Sequence, residues 1–240
     1  MKLVKKLFYV LGVVSLFGVT NVSASELAAK EIVFNAFNYL GTLDKYTFDA
    51  VIYDKYNVGN GQEENFKHLV SVSLNRPGKL RVDIKGDTRD RTSYINDGVF
   101  TMIDHDFGYY GQLKTPKSID GALDFIVKKY GIVAPLTSLL YSDMTKRVKF
   151  SRSKNFGVQN IGGVTCDYVA FKNKKKEVHI WITRGDRPLI KAYSVIEVGK
   201  KDTFRVDTSL TWKDGSNIKN SDFVFNAPKG VTKISIESAK

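Results

Sequence analysis

The sequence contains little cysteine and little proline, with one Cys and five Pro among 240 residues. A single cysteine excludes an intramolecular disulfide framework and the paired-cysteine spacing of structural zinc sites. The chain also lacks the Gly-x-Ser-x-Gly turn of many serine hydrolases and a glycine-rich loop for phosphate. The absence of these motifs removes the most common routes to nucleophilic, metal-dependent and nucleotide-dependent chemistry.

Histidine is scarce as well, and the three residues, His68, His105 and His179, are far apart in sequence. Only His105 is flanked by carboxylates, in the run Asp104-His105-Asp106. Adjacent side chains of an extended segment point to opposite sides, so these three do not converge on one metal ion. We interpret this run as a turn after a strand, and we expect no catalytic residue, no metal and no cofactor.

The N-terminus has the pattern of a secretory signal peptide. Three lysines in the first six residues precede an uncharged apolar run over residues 7–19, and Val22-Ser23-Ala24 then supplies small residues. The run is short for a membrane span, which needs about 20 residues, so an uncleaved anchor is the less favoured alternative. We predict a signal peptide over 1–24, cleavage near Ala24, and a single periplasmic domain over 25–240.

The charge is strongly basic, and it limits the classes of partner. Loss of the three signal-peptide lysines lowers the formal net charge from +12 to +9. Such a surface can attract an anionic membrane surface or nucleic acid. Export argues against nucleic acid, and a solvated basic face with no partner is the simpler interpretation. The sequence indicates no particular oligomeric state.

The spacing of apolar residues changes once near the start of the predicted domain. Before this change the apolar residues recur at helical spacing, which predicts a helix over Leu27–Leu40, with Ser25 as a cap and Gly41 as its end. Alternation at every second residue follows and predicts about ten strands. Asn96-Asp97-Gly98 lies between two of these apolar runs and predicts a tight hairpin. The final strands are predicted over Val148–Phe150, Phe156–Gln159, Val164–Phe171, Val178–Ile182, Ile190–Val198, Phe204–Trp212 and Thr232–Ile236.

A helical segment interrupts the strands at Ser118–Tyr130. One face of this helix carries Ile119, Leu123, Ile126 and Tyr130, and Gly131 ends it. A second short helical stretch is predicted over Pro135–Leu140. A sheet of so many strands must twist and curl, leaving a concave face to be filled. We predict an α+β fold: a curled antiparallel half-barrel with an N-terminal helix and a helical insertion that closes the concave face.

The lone Cys166 lies in a predicted strand, where it alternates with Val164, Tyr168 and Ala170. A reactive thiol requires exposure and a cationic or helix-terminal setting. An unpaired strand cysteine more commonly behaves as a small buried hydrophobe. We therefore expect Cys166 to serve packing.

Several short motifs appear in one order along nearly the whole predicted domain. They are Arg76-Pro77-x-x-Leu80-Arg81, Asn96-Asp97-Gly98, Asp104, Ile119-Asp120, Tyr130-Gly131, Pro135-Leu136, Leu139-Leu140, Gly162-Gly163-Val164-x-Cys166-Asp167, Trp181-Ile182, Arg187-Pro188-Leu189 and Asp222-Phe223-x-Phe225-x-x-Pro228. This series resembles an uncharacterised family of predicted periplasmic proteins within the LolA/LolB-like lipoprotein-carrier superfamily. The resemblance implies a half-barrel with helices at its mouth and an apolar cavity that receives acyl chains. In the carriers of that superfamily an arginine hydrogen-bonds to the lid.

Three classes of function remain. A non-catalytic protein that binds a lipid or other amphiphile, an acyl chain or lipoprotein for example, accounts for export, a curled sheet, and 12 Tyr and 15 Phe. Ile119, Leu123, Ile126 and Tyr130 would then form the lid of its cavity. A structural, interaction or envelope-stress protein with a filled cavity is the alternative, because the aromatic residues also suit a packed core. A hydrolytic enzyme is the least favoured class.

Overall fold

The computed structural model describes residues 20–59, 62–132, 136–149, 152–197 and 204–239. Most of the predicted signal peptide (residues 1–19) lies outside the described residues, as does Pro135. The three helices of the described residues are α1 (Thr20–Thr42), α2 (Ile119–Tyr130) and α3 (Met144–Arg147), and 3₁₀ turns cover Thr137–Leu139 and Asn220–Phe223.

Within the described ranges, twelve strands form one open sheet. They are β1 (Lys45–Gly59), β2 (Gln62–Asn75), β3 (Lys79–Gly86), β4 (Arg89–Asn96), β5 (Val99–Asp104), β6 (Tyr109–Lys114), β7 (Arg152–Ile161), β8 (Val164–Lys172), β9 (Lys176–Thr183), β10 (Ile190–Glu197), β11 (Phe204–Lys213) and β12 (Thr232–Ile234). The spatial order is β12-β6-β5-β4-β3-β2-β1-β11-β10-β9-β8-β7, and the sheet does not close on itself. The predicted curled half-barrel is confirmed.

Each neighbouring pair of strands is antiparallel except β12 and β6, which run parallel over three residues. The predicted hairpin joins β4 to β5, and Asp97 and Gly98 there have φ of 47° and 101°. These positive values are the ones that a tight two-residue turn requires. At the other edge of the sheet, β7 carries an irregularity in its pairing with β8 between Asn155 and Gly157.

The apolar face of α1 packs against β7, β8 and β9, on the core side of the sheet. Its buried residues follow the predicted spacing and are Ala29, Val33, Ala36, Phe37 and Leu40. The predicted ends were wrong, because the helix begins at Thr20 and continues to Thr42, so Ser25 lies inside it. The Ser25 hydroxyl instead accepts a hydrogen bond from the backbone N–H of Asn155 on β7, over 3.4 Å.

Two strand predictions also differ from the structure. Strand β6 was not predicted, because Gly111 interrupts its apolar alternation; a Cβ atom at this position would collide with the side chain of Ile236. A strand over Val148–Phe150 was predicted, but Val148 ends α3, and Phe150 lies outside the described residues. Val148 packs against the core from this irregular position, which explains its apolar character.

The chain after β11 crosses the opposite side of the sheet from the core. Phe223 is fully buried there, and the ring of Phe225 lies 5.7 Å from that of Tyr94 and 5.0 Å from that of Tyr110, between centroids. Because this segment covers β3 to β6 from outside, the helices are left to cover the core side.

Candidate functional site

An apolar cavity of about 80 Å³ separates α2 from strands β3, β4 and β5. Alternate residues of the strands form its floor, and α2 with the residue that follows its C-cap forms its roof. The apolar residues that line it are Leu80, Val82, Ile84, Ile95, Phe100, Met102, Leu123, Ile126 and Ile132. Arg89, Arg91, Ser93 and Tyr94 complete its wall. Side chains at every second residue of a strand point to one face of the sheet, and side chains at helical spacing point to one face of α2. The two faces meet at this cavity.

The four residues predicted to form a lid are distributed unequally around this cavity. Leu123 and Ile126 line it. Ile119 is fully buried in the core but is not part of the cavity wall. Tyr130 is half-buried and packs its ring against Phe125, with centroids 5.7 Å apart. The cavity therefore meets the middle of α2 rather than its whole apolar face.

Both ends of α2 are capped: Gly131 ends it as predicted, while Ser118, predicted as its first residue, is its N-cap. The Ser118 side chain accepts a hydrogen bond from the backbone N–H of Gly121, over 3.2 Å. Gly131 follows the last turn in the left-handed conformation, with φ of 65°, and its N–H donates to the carbonyl of Val127. These two caps fix the ends of α2, on either side of the middle part that meets the cavity.

Arg76 joins α2 to the rest of the domain. Its Nη1 lies 3.5 Å from a carboxylate oxygen of Asp120 in the first turn of α2. The same guanidinium donates to the carbonyls of Leu43, over 3.2 Å, and Leu140, over 3.1 Å. It also lies 6.0 Å from the centroid of the Tyr46 ring. The strand-start motif containing Arg76 was recognised from sequence, but these partners were not.

The exposed side of α2 is attached to the segment that follows it. The Tyr141 hydroxyl and Arg147 Nη1 donate to the same oxygen of Asp124, over 2.9 and 2.7 Å. Burial, together with the Asp124 carboxylate, raises the pKa of Tyr141 to about 12, so that this hydroxyl keeps its proton at neutral pH. Residues 118–132 and 136–147 are therefore connected by side-chain contacts into one insertion.

The C-terminal end of α2 contacts the chain that follows β12. The backbone N–H of Ala239 donates to the carbonyl of Lys129, over 3.1 Å. Ile236, between β12 and Ala239, packs against the core. The helix is thus held near both ends and along its exposed side, while its middle spans the cavity.

In the run Asp104-His105-Asp106, Asp104 ends β5 and His105 and Asp106 lie in the turn that was predicted after this strand. Burial alone would raise the pKa of Asp104, but hydrogen bonds from Arg91 and from the N–H of Phe107 outweigh it and lower that pKa. The ring of His105 hydrogen-bonds instead to Thr92, over 3.0 Å. In the part of the chain that the structure describes, no group of three His, Cys, Asp or Glu residues is arranged to hold a metal ion.

Cys166 is fully buried, which confirms the packing interpretation. Its thiol lies 3.6 Å from the carbonyl oxygen of Val164, and burial raises its pKa. We expect a thiol reagent to label Cys166 slowly in the folded protein and rapidly after denaturation. Replacement by Ala should lower the free energy of unfolding by about 1 kcal/mol, because it leaves only a small cavity. Rapid labelling of the native protein would contradict this expectation.

Residues 29–237 match the protein family described as predicted periplasmic protein (DUF2092). The chain belongs to the DUF2092 family. No curated protein matches this DUF2092 chain in sequence. The family confirms the periplasmic location that the N-terminal pattern predicts. No helix within the described ranges of the DUF2092 protein is long and apolar enough to cross a membrane.

Several solved structures are similar to this chain at low sequence identity. An uncharacterised conserved protein from Thermus thermophilus is 10% identical, and the alignment covers 87% of the DUF2092 chain and 99% of that chain, with a TM-score of 0.51. LprF from Mycobacterium bovis is 11% identical over 81% and 96% of the two chains, with a TM-score of 0.45. A LolA superfamily protein from Nitrosomonas europaea is 11% identical over 82% and 97%, with a TM-score of 0.34.

Proposed function

We propose that this protein binds the hydrophobic chain of a lipid or other amphiphile, without catalysis, between the concave face of its sheet and α2. The proposal is supported by the way in which α2 is attached to the rest of the domain. Its polar contacts lie near its ends and on its exposed side, whereas Leu123 and Ile126 face an apolar cavity. A lid needs this combination, since an acyl chain can replace the apolar contacts while the polar ones keep the helix in place.

We interpret the small volume of the cavity as the closed state of such a lid. Ligand pockets commonly enclose about 300–1,000 Å³, whereas this cavity measures about 80 Å³. An acyl chain would therefore have to displace Leu123 and Ile126 from the sheet as it enters. Each buried side chain of this size contributes about 1.5–3 kcal/mol. A ligand that buries comparable apolar area can offset that cost, so the lid is closed and still displaceable.

A structural protein of the envelope is the second candidate, and the small volume of the cavity favours it. In that case α2 is a permanent part of the core, and no ligand enters. The aromatic contacts of Phe48 with Trp212, whose ring centroids are 4.7 Å apart, are consistent with such a packed interior.

Titration with the neutral fluorescent probe N-phenyl-1-naphthylamine separates the two candidates. We expect saturable binding in the micromolar range with an increase in fluorescence, because the probe enters the apolar cavity. Dodecanol, which is also neutral, should compete for the same site. A wild-type protein that binds neither compound while remaining folded would leave the structural role as the better account.

A further inference from the structure

A single row of residues crosses the core face of six neighbouring strands at the border of the apolar region. Pairing of the strands places these residues opposite one another in turn, from β10 to β4: Tyr193, Thr208, Ile52, His68, Gly86 and Arg89. The next two rows on β2 and β3 are Val70 with Ile84 and Val72 with Val82, all buried. The concave face therefore changes from apolar to polar between two neighbouring rows, which are two residues apart along each strand.

The polar row adjoins a second cavity, of about 170 Å³. Asp54, His68, Arg89 and Tyr193 line it together with four apolar residues. Ile84 and Arg89 belong to the walls of both this cavity and the apolar cavity below α2. The two cavities are thus neighbours that share a wall, one apolar and one with polar groups.

His68 is the most unusual member of the row, because its side chain is buried without a hydrogen bond. The residue is 4% exposed, and neither ring nitrogen has a hydrogen-bond partner among the described residues. A carboxylate oxygen of Asp54 lies 3.2 Å from Nε2, close enough for an ionic contact but not aligned for a hydrogen bond. A buried polar group in this state is costly unless another partner satisfies it.

Gly86 separates His68 from Arg89 in the row. A Cβ atom at Gly86 would collide with Nδ1 of His68, so the imidazole occupies the space above the β3 backbone. Arg89 and His68 lie two strands apart, which separates their backbones by about 10 Å. Because the His68 ring extends over Gly86, its side chain lies nearer to Arg89 than its backbone does. Arg91 on the same strand pairs with Asp104, whereas within the described residues the Arg89 guanidinium has no such partner.

Tyr193 supplies a third donor at the far end of the cavity. Like any tyrosine, its hydroxyl carries a proton at neutral pH, and burial raises its pKa further, to about 12. The wall thus presents a guanidinium, an imidazole and a phenol to one space. Asp54 is the only carboxylate among the described residues that line it.

We propose that His68, Arg89 and Tyr193 form a subsite for the carboxylate head of a fatty acid whose chain occupies the neighbouring apolar cavity. The inference rests on the proposed function, and it adds the class of amphiphile and its direction of binding. A guanidinium can hold a carboxylate through two parallel hydrogen bonds. Among its described residues, the wall of this cavity carries a single guanidinium, that of Arg89, which suits a monoanion better than a phosphate monoester.

Displacement of N-phenyl-1-naphthylamine by matched C12 compounds tests the subsite separately from the cavity. We expect dodecanoate to displace the probe at a concentration at least tenfold lower than methyl dodecanoate or dodecyl phosphate, and acetate alone to displace none. Replacing Arg89 with Gln should weaken dodecanoate binding by about tenfold to hundredfold, the usual effect of losing a charge-assisted pair. It should weaken binding of the ester and of the probe much less, since Arg89 also borders the apolar cavity but these ligands carry no charge for it to pair with.

Two further variants complete the design. Tyr193→Phe removes only a hydroxyl and should weaken dodecanoate binding by about threefold to tenfold. Lys85→Gln removes the same charge as Arg89→Gln from a side chain that is 82% exposed, and should preserve the preference for the acid. Equal displacement by acid and ester, or an unchanged preference in Arg89→Gln and Tyr193→Phe, would overturn the subsite while the lipid-binding cavity stands. Failure of probe and dodecanoate alike to bind would overturn both.

Discussion

Replacing Leu123 with Asp should detach α2 from the sheet while the sheet itself stays folded. Leu123 is 5% exposed and lines the cavity, and a carboxylate cannot stay ionised in such an apolar setting without a large cost. The insertion can avoid this cost by swinging outward. We expect the affinity for N-phenyl-1-naphthylamine to fall at least tenfold, because the roof of the cavity is lost. Ile126→Asp should have the same effect, since Ile126 also lines the cavity.

Circular dichroism melts measure whether the sheet stays folded, and probe titrations measure the loss of affinity. Lys128→Asp provides the matched control, because it introduces Asp at an exposed position of the same helix. This variant should bind the probe like the wild type. If Leu123→Asp instead unfolds the whole domain in one step, α2 is a permanent element of the core and the lid must be rejected.

Replacing Arg76 with Ala should lower the free energy of unfolding by about 3 kcal/mol, since a largely buried charge pair loses one partner. The Arg76 side chain is 12% exposed and that of Asp120 is 21% exposed. The carbonyls of Leu43 and Leu140 also lose their donor. We expect amide hydrogen exchange to accelerate throughout residues 118–147, because the start of α2 is released there.

Arg81→Ala is the control for Arg76→Ala, since the same sequence motif contains both arginines. Arg81 pairs with Asp83, but both side chains are more than one third exposed, and such pairs contribute about 1 kcal/mol or less. Urea denaturation should show a clearly larger loss of unfolding free energy for Arg76→Ala than for Arg81→Ala. Equal losses of stability, without local acceleration of exchange in Arg76→Ala, would show that Arg76 has no special role in holding the insertion.

The sequence predicts elements well where one local period dominates. The spacing of Ile119, Leu123 and Ile126 predicts α2, and Ser118 and Gly131 mark its ends because capping depends only on adjacent residues. Strand β6 was missed because Gly111 breaks the alternation, and the reason for that glycine is Ile236, more than one hundred residues later. Local pattern and distant packing conflict there, and distant packing prevails.

The candidate site likewise combines features that a local pattern predicts with features that depend on distant parts of the chain. The apolar roof of the cavity was predicted from helix periodicity, whereas Arg76 contacts Leu140 across 64 positions of sequence, and no local pattern encodes that distance. The row that joins Tyr193, His68 and Arg89 depends on the register of six strands. A shift of one residue in any of these pairings would move the polar groups to the opposite face. Their convergence can therefore be recognised only in the folded chain.

The two edges of the open sheet determine how readily this protein would aggregate. An unclosed sheet exposes backbone donors and acceptors that can recruit strands from other molecules. One edge here is β12, only three residues long. The other is β7, where Gly157 has φ of 87° at the pairing irregularity, and Arg152 and Lys154 are exposed. A short strand at one side and a bent, charged strand at the other oppose aggregation. The sheet can thus remain unclosed without polymerising through its edges.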